Sequence, residues 1–138
     1  MNGELLVRGK EGESLDLFVA GLPVLIGCGP WQERESSNYP EGRYYRCAVL
    51  GLGATASKSD DNEFSDYDFQ LYFDPEFFRA ETSFLAELAD CVARKLVISG
   101  YQVVRPFDSA HPGKGGLVYR FDPIAGKLPW EQVVTQRV

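Results

Sequence analysis

Asp66-Tyr67-Asp68-Phe69-Gln70-Leu71-Tyr72-Phe73 alternates with a period of two. Tyr67, Phe69, Leu71 and Phe73 fall on one side, and Asp66, Asp68, Gln70 and Tyr72 on the other. That is the pattern of a strand with one face toward a core and one toward water or a partner. Upstream, Arg43–Ala54 (Arg43-Tyr44-Tyr45-Arg46-Cys47-Ala48-Val49-Leu50-Gly51-Leu52-Gly53-Ala54) is apolar on both sides in its middle, and reads as one long strand at the centre of a sheet. Between these two strands runs an acidic loop.

Downstream, Asp74-Pro75-Glu76 has the chemistry of a helix start, with an N-cap acid, a proline at the first helical position and an acid in the first turn. Phe84, Leu88, Cys91, Val92 and Leu96 then recur at helical spacing, and Gly100 supplies a left-handed stop. One principal helix is therefore expected over about residues 75–99. Tyr101–Phe107 and Gly116–Phe121 read as strands joined by a loop of turn formers from Asp108 to Gly115. Pro129-Trp130-Glu131 is read as opening a short terminal helix.

Toward the N-terminus, Glu4–Arg8, Leu15–Ala20 and Val24–Cys28 read as short strands, with Gly21-Leu22-Pro23 as a breaker. Residues 29–42 read as a polar loop. The expectation is a single α+β domain spanning 1–138, with a mainly antiparallel sheet and the helix packed on one of its faces.

The chain has 138 residues, a net charge of −6 and 44% hydrophobic residues, so it can bury an independent core. Excess negative charge gives no support to nucleic-acid backbone binding and favours a basic protein partner. The charge is uneven. Between Lys58 and Arg79 stand Asp60, Asp61, Glu63, Asp66, Asp68, Asp74 and Glu76, with no lysine or arginine among them. Cys28, Cys47 and Cys91 form no CxxC pair and sit in apolar contexts, which fits reduced, mostly buried thiols in a cytoplasmic protein. No secretory leader and no membrane-spanning run are expected. The oligomeric state is left open.

Four features carry candidate chemistry, and three of them have simpler readings. Gly51-Leu52-Gly53-Ala54-Thr55-Ala56 fits a GxGxxA pattern, but that pattern needs a helix to open at its last glycines. Ser57-Lys58-Ser59-Asp60-Asp61-Asn62 follows instead, so the glycines are assigned to close backbone approach or a bulge. Gly113-Lys114-Gly115-Gly116 lacks the spacing and the Ser or Thr of a phosphate loop and reads as a turn. His111, the lone histidine, reads as an exposed loop residue.

The segment Leu52–Phe69 resembles the nucleotidyltransferase (polymerase-β-like) motif, through Leu52-Gly53 and then Asp66-Tyr67-Asp68. The resemblance implies Asp66 and Asp68 as metal-binding catalytic carboxylates, Asp108 as the third, and Mg²⁺ with a nucleoside triphosphate as cofactor and substrate. The chain departs from the family at Ala54, where Ser or Gly is expected, in having no expected helix before the family's first strand, and in its strand-rich opening.

In size, acidity and architecture the chain also resembles the immunity proteins of bacterial toxin systems. That resemblance implies a non-enzymatic inhibitor without cofactor or metal that masks a basic toxin or effector. Its contact residues would be Asp60, Asp61, Glu63, Asp66, Asp68 and Tyr72.

Overall fold

The computed structural model describes residues 3–49, 51–75, 82–108, 113–121 and 133–138. The elements in order are β1 (Glu4–Arg8), α1 (Leu15–Ile26), β2 (Gln32–Glu35), a 3-10 turn (Pro40–Gly42), β3 (Arg43–Val49), β4 (Leu52–Lys58), β5 (Phe69–Pro75), α2 (Thr82–Ile98), β6 (Gln102–Pro106), β7 (Gly116–Phe121) and β8 (Val133–Arg137). The eight strands form one sheet in the order β2-β3-β4-β5-β1-β6-β7-β8, and every pairing is antiparallel. A four-strand meander and a three-strand meander thus flank β1, which joins them. The fold is α+β, but with two helices rather than one principal helix.

The first of these, α1, replaces the two expected strands at Leu15–Ala20 and Val24–Cys28. Short apolar runs read alike as strand or helix, and here the ends decide. The Ser14 hydroxyl accepts from Leu17 N, Asp16 lies in the first turn, and Gly27 closes the helix at φ 73° while donating to the Pro23 carbonyl. Leu15, Phe18, Val19 and Leu22 are buried at three-to-four spacing. Pro23, read as a breaker, sits inside the helix. It forfeits one backbone bond, which the burial of those four side chains outweighs.

Two further expectations change in the first meander. Residues 32–35 of the expected polar loop form β2, an exposed edge strand carrying Glu33, Arg34 and Glu35. Arg43–Ala54 is not one strand but a hairpin, in which Val49 faces Leu52 across a reversal containing Gly51 at φ 78°.

In the opening stretch the alternation begins at Phe69. Phe69, Leu71 and Phe73 are buried against the helices, while Gln70 and Tyr72 lie on the other side of the sheet. Tyr67 does not share their face. It belongs to a second cluster with Leu6, Phe64, Val104 and Val118, on the side without helices. The main cluster lies between sheet and helices, where Phe18 stacks on Phe69 at 4.6 Å and meets Tyr101 edge-on at 5.5 Å.

Asp74 and Pro75 complete β5, opposite Gly53 and Leu52, rather than capping a helix. Helix α2 is described from Thr82. Leu88, Val92 and Leu96 face inward, whereas Phe84 and Cys91 are exposed, because Ala89, Ala93 and Val97 complete the buried stripe. Gly100, at φ 97°, ends the helix as expected. Strands β6 and β7 fall where the sequence places them, and β8 was not foreseen. His111 and Pro129-Trp130-Glu131 lie outside the described residues. No helix among the described residues is long and apolar enough to cross a membrane.

Candidate functional site

The acidic segment between β4 and β5 is a packed element laid across the open face of the sheet. Ser59 N donates to the Asp68 carbonyl at 2.9 Å and closes the base of the loop. Asp61 accepts from Phe64 N at 2.9 Å, and Asp61 N donates to the Ser59 hydroxyl, a local cap that turns the chain. The turn drives Phe64 and Tyr67 inward as an edge-on pair over Leu6, Val104 and Val118. Burial pushes the Tyr67 phenol above its usual range, and the nearby Asp66 charge adds to that.

Most of the carboxylates expected to meet a partner also hold the fold. Glu63 takes Gly113 N at 2.8 Å on one oxygen and Gly115 N at 2.9 Å on the other, so it grips the β6–β7 turn. Asp68 accepts from Gly9 N at 2.7 Å. Asp66 pairs with Arg8 at 3.8 Å, with both side chains more than half exposed. Asp60 is exposed at the outer side of the loop. Tyr72 is 41% exposed on the open face, four residues along β5 from Asp68, a separation of roughly 13 Å. The structure thus gathers Asp60, Asp61, Glu63, Asp66 and Asp68 on one loop and leaves Tyr72 apart from it.

The geometry required for two carboxylates on one strand face is not formed. Asp66 lies in a turn and Asp68 in the residue before β5, and their carboxylates go to Arg8 and to Gly9 N. Asp108 follows Pro106, which lies at the Glu4 end of β1 by the β1–β6 register, whereas Asp66 and Asp68 are tied to its Arg8 end. The three do not converge. Gly51 precedes β4 and Gly53 lies within it, so no helix opens at these glycines. Among the described residues no group of three or more His, Cys, Asp or Glu side chains is arranged to hold a metal ion.

Sequence reasoning missed three polar assemblies. On the open face, Arg46 of β3 reaches over β4 to Asp74 of β5 with bonds of 2.9 and 3.1 Å, and also donates to Thr55 at 2.8 Å. The continuing period of two through Gln70, Tyr72 and Asp74 was the signal for it. Beside α1, Asp16 accepts from Arg43 and from the Tyr45 hydroxyl. These bonds hold the Asp16 carboxyl below its usual range, and the Asp16 bond pushes the Tyr45 phenol up to about 12. Under α2, Asp90 is engaged by Tyr119 and Arg94, close to the buried Arg105. Apart from the i,i+4 pair Asp90–Arg94 on α2, the contacts join separate elements, and no local motif announces them.

A cavity of about 330 Å³ opens between the end of α1, α2 and β3–β5. Its walls include Ile26, Cys28, Cys47, Ala54, Phe73 and Leu88. Burial, with the neighbouring Cys47 second, pushes the Cys28 thiol up to about 12, and burial raises Cys47 as well. Both therefore stay neutral and poorly nucleophilic.

No family model matches the chain, and neither a curated protein nor a solved structure matches it.

Proposed function

We propose that this chain is a non-enzymatic binding protein that captures a basic protein partner, as an immunity protein masks a toxin or effector. One observation carries the reading. The loop 59–68 presents five carboxylates, of which Asp66 is paired with Arg8, on a segment already ordered by Phe64, Tyr67 and the Glu63 and Asp68 bonds. A charged surface fixed before binding costs little ordering at encounter and steers an oppositely charged partner. Asp60, Glu63, Asp66 and Asp68 supply the exposed charge, and Asp61, Glu63 and Asp68 also hold the loop in place. Three free cysteines, of which Cys28 and Cys47 are hydrogen-bonded neighbours, support a reducing, cytoplasmic setting.

The test is affinity capture with the purified chain, followed by affinity measurement on the recovered partner. A basic protein is expected. Asp60→Lys with Asp66→Lys should weaken its binding at low salt and lose that effect as salt rises. These two positions are chosen because reversal at Glu63 or Asp68 would also disturb the fold. Recovery of no basic partner, or an affinity indifferent to the double reversal, overturns the reading.

A further inference from the structure

We infer that the groove between the flank of α1 and the β2–β3 hairpin is the seat of a guanidinium, carried by an arginine side chain of a basic partner. The groove has a volume of about 350 Å³. Asp16, Ala20 and Pro23 follow one another at three-to-four spacing and form its α1 wall. Pro30, Trp31 and Tyr45 form the facing wall. Trp31 is half-buried against the core, and its Nε1 donates to the Cys28 carbonyl at 3.0 Å, which fixes the indole in place. The groove thus runs from Pro23 to a carboxylate at the start of α1.

Charge selects a cation as the occupant. Arg43 is held at the Asp16 end, where Asp16 and Glu41 both pair with it, at 2.5 and 3.5 Å. Glu33 joins the same assembly by accepting from the Tyr45 hydroxyl at 3.3 Å. Three carboxylates against one guanidinium leave an excess of two negative charges at the mouth of the groove. The bonds that Asp16 accepts from Arg43 and Tyr45 both fall on Oδ1, and its side chain is 56% exposed. Its Oδ2 is therefore open to a further donor.

The walls select among cations. A guanidinium is planar, weakly hydrated and able to stack on an indole while it donates to carboxylates, whereas an ammonium is compact and holds its water. The methylene stem of an arginine would lie along Ala20 and the prolines. The inference rests on the basic-partner reading for the source of the arginine, but not for the seat itself. By register Tyr45 lies opposite Ala56, two residues before β4 ends at Lys58 and the acidic loop begins. Groove and loop therefore flank one end of the sheet, where a single basic surface can meet both.

The test is an NMR titration of the intact chain with N-acetyl-arginine methylamide. The Trp31 indole and the Asp16 and Ala20 amides should shift together and saturate, with a dissociation constant on the order of 1–10 mM. The lysine analogue should bind several-fold more weakly, by roughly threefold or more. Trp31→Leu should weaken the arginine probe about fivefold at the two helix amides. Glu33→Gln, at an exposed position that leaves the fold intact, should weaken it about twofold, an effect that fades as salt rises. Asp60→Lys with Asp66→Lys, which tests the acidic loop, should leave these shifts unchanged, so failure at the loop and failure at the groove are told apart. Absence of shifts at Trp31, equal binding of the lysine analogue, or indifference to Glu33→Gln overturns the inference.

Discussion

Arg46 reaches Asp74 across an intervening strand because the residue beneath its guanidinium, Gly53, has no side chain. A Cβ at Gly53 would fall 1.9 Å from Arg46 Nη2 and 2.6 Å from Asp74 Oδ1. The glycine is therefore a condition of the ion pair, and the pair ties β3 to β5 independently of the backbone ladder. Gly53→Ala should displace the guanidinium and cost about 1–3 kcal/mol in urea unfolding. In an Arg46→Ala background the same substitution should fall to within about 0.5 kcal/mol of neutral. Additive losses would place the role of Gly53 elsewhere.

Glu63 grips the β6–β7 turn through two amides, so its removal should act at a distance in sequence. Glu63→Ala should cost about 1–2 kcal/mol, less than two fully buried charged hydrogen bonds because the carboxylate is exposed. Hydrogen exchange locates the effect. The Gly113 and Gly115 amides should lose protection while the β1 and β6 amides keep theirs. Unchanged exchange at those two glycines would show that the grip is not formed in solution.

How far the fold could be read from the sequence follows from where its determinants lie. Strands β5, β6 and β7 and the end of α2 were legible, because alternation and a stop glycine are local signals. Helix α1 was not. Its outward row, Leu17, Ala20, Gly21 and Val24, is as apolar as its inward one, so the polar half of the helical period was missing and Pro23 seemed to break it. The β3–β4 hairpin was hidden because Val49 and Leu52, which face each other across the reversal, belong to one apolar run in the sequence. At the site, the acidity of residues 60–68 was plain, but the division of labour within it was not. Glu63 and Asp68 take their partners from Gly113, Gly115 and Gly9, and long-range pairings leave no mark in local composition.

The three thiols should separate kinetically. Cys91 is exposed on α2, whereas Cys47 is buried and Cys28 is half-buried with its thiol pushed up to about 12. The thiolate is the reacting species, so at mildly alkaline pH a maleimide should modify Cys91 quickly and the other two only as fast as the chain opens. Cys91→Ser should abolish the fast phase, and denaturant should release two slow equivalents. A second fast equivalent in the native protein would contradict the burial of Cys28 against Cys47 just after α1.

The assembly under α2 makes a prediction with a defined pH sign. The Arg105 side chain is only 5% exposed, and its Nε has no hydrogen-bond partner among the described residues. Its Nη1 donates to the Tyr119 hydroxyl at 3.0 Å and lies 3.8 Å from Asp90 Oδ1. Tyr119 donates to that same oxygen at 2.5 Å, and Arg94 donates to the other at 3.0 Å. Burial alone would raise the Asp90 carboxyl. The bonds from Tyr119 and Arg94 and the charges of Arg94 and Arg105 together outweigh it and leave Asp90 below its usual range. A carboxyl depressed in the folded state contributes its full stability above the unfolded value of about 3.9, and loses it as pH falls through the folded value. Asp90→Asn should therefore cost about 1–2 kcal/mol at neutral pH, because a buried guanidinium loses a nearby countercharge that solvent partly screens, the Asp90 side chain being 35% exposed. That deficit should shrink below about pH 4, where the native chain surrenders the same interaction. Urea unfolding of both chains across the acid range measures it. A deficit constant with pH would mean that Asp90 serves by shape and hydrogen bonding alone, and that Arg105 is balanced from elsewhere.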